Sequence, residues 1–359
     1  MTLTAPVDTD VIAGPDGRAP SPDPETPAVR DRRERPMRDL RISVTDRCNF
    51  RCPYCMPRSH YGPGHRFLPL EKQLTAPELE RLAGVFISLG VTKIRLTGGE
   101  PLLRRDLVDI VGRLSRLGVE DLALTTNGAL LARHAAALAE AGLHRVTVSL
   151  DSLDPEVFAA MSDASVPVAE VLAGIMAAQA AGLNPIKLNC VVRRGNNEGS
   201  ILELVEFARS HGLQLRFIEY MDVGSSNGWR RQDVVPALEI LETVGRVHPL
   251  LAEDREPSAV ARRYRFADGA GELGIIASVS QPFCGDCSRA RLGSDGRLYT
   301  CLFAIAGLDL REPLRSGADD RELRRLVSER WLRRNDRYSE IRASLTAPLR
   351  HVEMSYIGG

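Results

Sequence analysis

Neither sign of charge prevails in this chain: 47 basic side chains are matched by 47 acidic ones. A protein without net charge has no global field for drawing in nucleic acid or an anionic membrane, and neither is expected as a partner. No apolar run reaches the roughly 18 residues that a membrane span needs. The first residues lack the apolar stretch of a secretory signal, so a cytoplasmic location is expected. An even set of cysteines is missing too. Of the seven, six fall into two groups of three, and Cys190 stands alone and reads most simply as a buried apolar residue. An odd count with tight spacing makes a poor disulfide framework, and in a reducing compartment such triplets more often bind metal.

With 359 residues, 43% of them hydrophobic, the chain suits one large α/β domain or two smaller ones. Residues 1 to about 38 are rich in Pro, Asp, Arg and Ala without apolar periodicity, and read as a disordered extension. Regular patterning starts at Asp39. β-type runs at Leu40–Val44, Thr92–Leu96, Asp121–Thr125, Arg145–Leu150, Ile186–Val192 and Gln214–Ile218 alternate with amphipathic helical runs. The helical runs mostly end at a glycine: Gly90, Gly118, Gly142, Gly182 or Gly212. One helix start is legible, with capping-box spacing from Thr75 to Glu78. Six β/α repeats argue for a parallel sheet covered by helices, either a partial barrel or an open doubly wound sheet. In both, the active site lies at the carboxyl ends of the strands. After about Asp222 the pattern changes. Pro236–Val244 reads as helix, Arg262–Leu302 as irregular strands with a turn at Asp295-Gly296, and Asp320–Arg334 as a charged helix.

Cys48, Cys52 and Cys55 follow the first strand in Cys-x-x-x-Cys-x-x-Cys spacing. Three thiolates on one short loop can hold three irons of a [4Fe–4S] cube and leave the fourth open to a small molecule. A structural zinc site is the competing reading, with His60 or His65 as a fourth ligand. Thr97-Gly98-Gly99-Glu100-Pro101 follows the second strand, where two glycines allow close backbone approach to a ligand. Taken together, the triplet and this segment resemble the radical S-adenosylmethionine superfamily. The resemblance implies that the open iron binds the methionine end of S-adenosylmethionine. An electron from the cluster would then release a 5'-deoxyadenosyl radical.

Cys284, Cys287 and Cys301 form the second group, which by spacing alone fits a zinc ribbon or an auxiliary cluster. Its surroundings from Phe283 to Leu292, and the chain end from His351 to Gly359, resemble the GTP 3',8-cyclase family of molybdenum cofactor biosynthesis. The resemblance runs from about Asp39 to Gly359. It implies an incomplete (β/α)6 TIM-like barrel over residues 39–222. A module over residues 223–359 would carry a second [4Fe–4S] cluster on Cys284, Cys287 and Cys301, and a Gly-Gly tail. The implied reaction removes the 3' hydrogen of GTP and joins C3' to C8, as the first step of the pathway.

By the same resemblance Tyr54, Gly99, Ser149 and Met221 line the S-adenosylmethionine site. Arg41, Arg95, Thr125, Lys187 and the Arg289-Ala290-Arg291 segment contact GTP. Arg289, Arg291, Gly358 and Gly359 are implied in catalysis. A reductant or electron-donor protein, cyclic pyranopterin monophosphate synthase as next enzyme, and a second copy of the chain are the implied partners. Elementary chemistry supports the substrate set, because a triphosphate needs cations in a concave site. Lys187 and Asn189 share one strand face, and so do Arg289 and Arg291 if extended. Solvated charge is the competing reading for Arg95, Lys187, Arg289 and Arg291, and packing for Ser149 and Met221. Asp151 and Glu219 stay outside the catalytic set, since hydrogen-atom abstraction needs no strong base. Two alternatives remain: a radical enzyme that modifies a peptide, and a zinc-stabilised binding module without redox chemistry.

Overall fold

The computed structural model describes residues 29–255, 258–344 and 350–358. Six parallel strands carry the first half: β1 (Asp39–Ser43), β2 (Lys93–Thr97), β3 (Asp121–Thr126), β4 (Arg145–Ser149), β5 (Lys187–Val192) and β6 (Gln214–Glu219). Each lies within a residue or two of its sequence-based range. The intervening helices are α1 (Ala76–Ser88), α2 (Leu107–Arg116), α3 (Leu131–Glu140), α4 (Pro155–Ser162), α5 (Val168–Ala180) and α6 (Ile201–Ser210). Thr75 caps α1 as expected: its hydroxyl accepts from the Glu78 amide while the Glu78 carboxylate accepts from the Thr75 amide.

Alternation along the strands sets the layers. Leu40, Ile42, Ile94, Leu96, Leu122, Leu124, Val146, Val148, Leu188, Cys190, Leu215 and Phe217 all belong to one buried core. They point toward the helices, which pack on one another in order, α1 on α2, α2 on α3 and α6 on the later α7 (Ala237–Gly245). The residues between them (Arg41, Arg95, Thr125, Ser149, Lys187, Arg216) face the opposite way and line a single cavity.

The sheet is open and has twelve strands. Beyond the first six come β7 (Leu250–Ala252), β8 (Arg262–Phe266), β9 (Glu272–Ile276), β10 (Arg289–Leu292), β11 (Arg297–Tyr299) and β12 (Leu308–Asp309). β10 pairs parallel with β1, and β9 parallel with β6, so eight parallel strands run together. β11–β12 and β8–β7 extend the two ends antiparallel. The expected turn at Asp295-Gly296 joins β10 to β11. One cavity touched by all eight parallel strands means that the sheet curls around it. Helices α8 (Arg311–Arg315), α9 (Asp320–Leu332), α10 (Tyr338–Ile341) and α11 (Met354–Ile357) complete the chain. No helix among the described residues is long and apolar enough to cross a membrane.

The expected disordered extension needs correction over residues 29–38. Residues 1–28 lie outside the described residues. Residues 29–38, however, are packed: Asp31, Arg35 and Met37 are all buried. The composition reading failed because this segment is held by polar contacts and a single buried methionine, which leave no periodic signal.

Candidate active site

The cavity holds about 590 Å³. Cys48, Cys52 and Cys55 border it on the loop after β1, and the turn is closed by the Cys55 and Met56 amides donating to the Cys52 carbonyl at 2.9 Å. Arg51 fastens this loop from behind, donating to the Cys48 and Phe50 carbonyls at 2.7 Å and to the Tyr61 carbonyl at 2.9 Å. Burial pushes all three thiols up, Cys48 to about 12; the other cysteines act on Cys52 and Cys55 in the same direction. Three thiolates gathered here therefore need a cationic centre to offset their charge, which is what an iron–sulfur core supplies. Among the described residues no three His, Cys, Asp or Glu side chains converge as ligands of one ion would. A cube asks for a different arrangement, each thiolate on its own iron around a shared volume.

Gly98 and Gly99 lie against the cysteine loop backbone to backbone. The Gly99 amide donates to the Thr45 carbonyl at 2.8 Å and the Glu100 amide to the Arg47 carbonyl at 2.7 Å. A Cβ on Gly99 would collide with the Arg47 carbonyl oxygen, and one on Gly98 with that of Thr45. The glycines are thus required by contact between two loops. Glu100 is buried and accepts from the Thr126 hydroxyl (2.7 Å) and from the amides of Leu102 (3.0 Å) and Asn127 (2.7 Å). Burial raises it to about 7 in spite of these donors. Tyr54 donates to Asp151 at 2.7 Å, and burial raises Asp151 to about 6. Ser149 and Met221 border the same end of the cavity, and Asn227 donates to the Met221 carbonyl at 2.9 Å.

The rest of the cavity wall is cationic. In the strand register Arg41 stands between Arg291 on β10 and Arg95 on β2, while Asn189 pairs with Arg216. Like charges in adjacent register repel. Burial, then Arg289 and Arg95, hold Arg41 well below its usual range. Burial, then Arg145 and Arg216, bring Arg95 to about 9. Lys187 falls to about 7 through burial, Arg216, Arg145 and Arg95. Arg95 donates to the hydroxyls of Thr125 (3.0 Å) and Thr147 (2.9 Å), so its guanidinium is aimed. Such a wall is built for a polyanion.

Cys284, Cys287 and Cys301 border the same cavity, from the loop between β9 and β10 and the turn after β11. Burial opposes ionisation of Cys287, but Arg289 and Arg334 outweigh it and bring the thiol down to about 6. Burial raises Cys301 to about 11.

Residues 42–208 match the Radical SAM superfamily, and residues 213–340 match Molybdenum Cofactor Synthesis C. A GTP 3',8-cyclase of Acidothermus cellulolyticus is 53% identical over 93% of this chain and 100% of its own length. Those of Xanthomonas axonopodis pv. citri and Staphylococcus carnosus are 52% and 44% identical, over 93% and 92% of this chain and 100% and 99% of theirs. This chain belongs to the GTP 3',8-cyclase family.

Solved structures add the fold. Streptococcus suis SuiB bound to its precursor peptide SuiA superposes with a TM-score of 0.59 at 14% identity, over 87% of this chain and 68% of that one. Methylornithine synthase does so at 0.50 and 16%, over 87% and 86%.

Against this GTP 3',8-cyclase background, the residues expected at the site are mostly gathered in one place. Tyr54, Gly99, Ser149 and Met221 border the cavity, as do Arg41, Arg95, Thr125, Lys187, Arg289 and Arg291. Ala290 does not: it is fully buried in the core, so its backbone alone faces the site's side of β10. Gly358 is held by its carbonyl, which accepts from Arg291, and a Cβ there would collide with the Thr97 hydroxyl. Gly359 lies outside the described residues. Glu219, set aside earlier, is a structural knot accepting from the Ala237 (2.8 Å), Val279 (2.7 Å) and Ser280 (2.8 Å) amides. Sequence reasoning missed Arg145 and Arg216 on the cavity wall. Their signal was present, since each has the parity of its strand's inward residues.

Proposed function

We propose that this chain cyclises GTP to (8S)-3',8-cyclo-7,8-dihydroguanosine 5'-triphosphate in a reaction dependent on S-adenosylmethionine, opening molybdenum cofactor biosynthesis. One observation carries the reading: the cavity that meets the Cys48–Cys55 loop at one end is walled by buried cations along its length. A radical source and a polyanionic substrate thus share one enclosed space. Cys48, Cys52 and Cys55 would hold the first [4Fe–4S] cluster, which supplies the electron that cleaves S-adenosylmethionine to a 5'-deoxyadenosyl radical. Tyr54, Gly99, Ser149 and Met221 bind and orient that cofactor. Arg41, Arg95 and Lys187 hold the triphosphate, with Thr125 fixing Arg95. Arg289 and Arg291 hold the nucleotide near the second triplet, and Arg291 also holds the Gly358 carbonyl, with Gly358 and Gly359 taking part in catalysis.

Cys284, Cys287 and Cys301 fit a second [4Fe–4S] cluster that contacts the guanine. The donor set supports this: three cysteines on one cavity wall, one with its thiolate favoured by two arginines. In this reading residues 39–222 form an incomplete barrel of six β/α units, to which residues 223–359 add the second-cluster module. Ring closure leaves one electron and one proton to be taken up, so a reductant is part of the system. Anaerobic reconstitution, then incubation with S-adenosylmethionine, dithionite and GTP, tests the proposal. A product with the mass of GTP, together with 5'-deoxyadenosine, supports it; 5'-deoxyadenosine with GTP unchanged at all times would refute it.

A further inference from the structure

The segment before β1 reaches the second cysteine triplet. Asp31 is buried, and its Oδ1 accepts from the Arg33 and Arg35 amides at 2.9 and 3.0 Å. Its Oδ2 accepts from Arg35 Nε at 2.7 Å and from Arg334 Nη1 at 3.0 Å. Both arginines are buried as well, with side-chain exposures of 2% and 1%. Arg35 Nη1 donates to the Cys284 carbonyl at 2.6 Å. Arg334 Nη1 donates to the Cys287 carbonyl at 2.6 Å, and its Nε to the Thr300 carbonyl, one peptide before Cys301, at 3.0 Å. The scaffold behind them is tied in turn: Trp331 donates its indole N–H to the Arg35 carbonyl at 3.1 Å, and the Arg32 amide donates to the Arg334 carbonyl at 3.2 Å.

We infer that Asp31, Arg35 and Arg334 form a clamp that positions the three cysteines of the second cluster and tunes its reduction potential. The inference rests on the second-cluster reading above. One carboxylate orients two guanidinium groups, and each of the three cysteines has a peptide carbonyl, its own or its neighbour's, held by one of them. A buried carbonyl left without its donor is costly, so the bonds fix the loop rather than decorate it. Buried cations beside a cluster also favour its reduced, more negative form. Arg35 and Arg334 are positioning residues, acting through the cysteines. Asp336 Oδ2 lies 3.4 Å from Arg334 Nε, which leaves Arg35 as the cleaner charge to change.

The test uses the full chain carrying Cys48→Ala, Cys52→Ala and Cys55→Ala, so that only the second site can hold iron. After anaerobic reconstitution this background should bind about four irons. If it binds none, and Cys284→Ala in the otherwise native chain removes none, the second-cluster reading fails before Arg35 is touched, and the clamp falls with it. Adding Arg35→Gln should shift the midpoint potential to more negative values and speed cluster loss to a chelator at least about threefold. Arg35→Lys should restore the potential, because the charge returns, yet still lose the cluster fast, because lysine lacks the guanidinium fork. A wild-type potential in Arg35→Gln would overturn the tuning role. Wild-type chelator resistance in Arg35→Lys would overturn the positioning role, even if Arg35→Gln cannot be recovered folded.

Discussion

The two cysteine triplets face one cavity but differ in electrostatic setting at Cys287. Around Cys48, Cys52 and Cys55 burial dominates, the acidic Glu100 and Asp151 lie close, and all three thiols are pushed up. Around Cys287 two arginines prevail over burial and pull the thiol down to about 6. The backbone differs as well. The first loop is packed against Gly98 and Gly99 with no room for a side chain and is tied by its own Arg51, whereas the second is hung from Arg35 and Arg334, distant in sequence. Tight backbone packing beside carboxylates suits a centre that must shed an electron into a bound cofactor. Guanidinium groups around the second triplet suit a centre that meets an electron-rich, anionic substrate. The difference agrees with the proposed division of labour, radical generation at the first triplet and substrate handling at the second.

The sharpest way to break that assignment is to remove one triplet at a time. Cys48→Ala, Cys52→Ala or Cys55→Ala should abolish 5'-deoxyadenosine formation, measured by chromatography after reduction. Cleavage at the native rate in any of them would end the assignment. Cys284→Ala or Cys301→Ala should keep uncoupled cleavage and lose GTP cyclisation, with bound iron falling from about eight to about four per chain. Normal cyclisation in either variant would return the second triplet to a structural role.

Gly99→Ala probes the backbone half of the comparison. The added Cβ meets the Arg47 carbonyl, which cannot move without displacing the cysteine loop. Overpacking of this kind costs about 1–3 kcal/mol. Here it should appear as weakened S-adenosylmethionine binding by at least about tenfold, while iron held by the second triplet is unchanged. Native cofactor affinity in calorimetry would show that the loop absorbs the methyl.

Most of the parallel sheet was legible because alternation and glycine stops are local signals: all six β/α strands fall where the pattern puts them. The attachment of β9 and β10 to the ends of that sheet was not legible. Arg262–Leu302 contains short strands whose partners are β6 and β1, far away in sequence. Nothing in a five-residue run names its neighbour. The first site was readable from its spacing, and its glycines gained their reason only from the Thr45–Arg47 backbone. Strand parity turns the Ala290 side chain to the core, which leaves only its backbone for the contact that the whole segment implied. The clamp at Asp31 escaped notice because isolated charges in a Pro- and Arg-rich stretch look solvated until their partners, some 300 residues on, are known.

A smaller effect separates folding from function on the cationic wall. Arg41→Ala removes a buried cation flanked in register by Arg95 and Arg291. A charge-assisted contact to phosphate is worth roughly 1.5–3 kcal/mol, so GTP should bind at least about tenfold more weakly. The thermal midpoint of the apoprotein should stay level or rise, because repulsion is relieved. Lower stability together with unchanged GTP affinity would make Arg41 a packing residue.

The smallest effect is a pH dependence, and Lys187 sets it. In the free cavity Lys187 titrates at about 7, lowered first by burial and then by Arg216, Arg145 and Arg95, with Glu272 acting in the opposite direction. Bound phosphates favour the ammonium, so GTP raises this value. The sign follows. Below about 7 Lys187 is already protonated, and binding takes up no proton there. Above 7 it is neutral in the free protein and must gain a proton to pair with the nucleotide. Affinity should therefore fall as pH rises from 7 to 8, by at most about tenfold for one linked proton, until the bound-state value is passed. Arg95, at about 9, stays charged through this window. Calorimetry at pH 8 in two buffers of different ionisation enthalpy should reveal uptake approaching one proton, and at pH 6.5 much less. The γ-phosphate of GTP also titrates near neutrality, so the decisive comparison is with Lys187→Gln. That variant should bind GTP more weakly at pH 7 and show a flatter profile from 7 to 8. If its pH profile matches the native one, the proton belongs to the nucleotide, and Lys187 is a solvated strand residue after all.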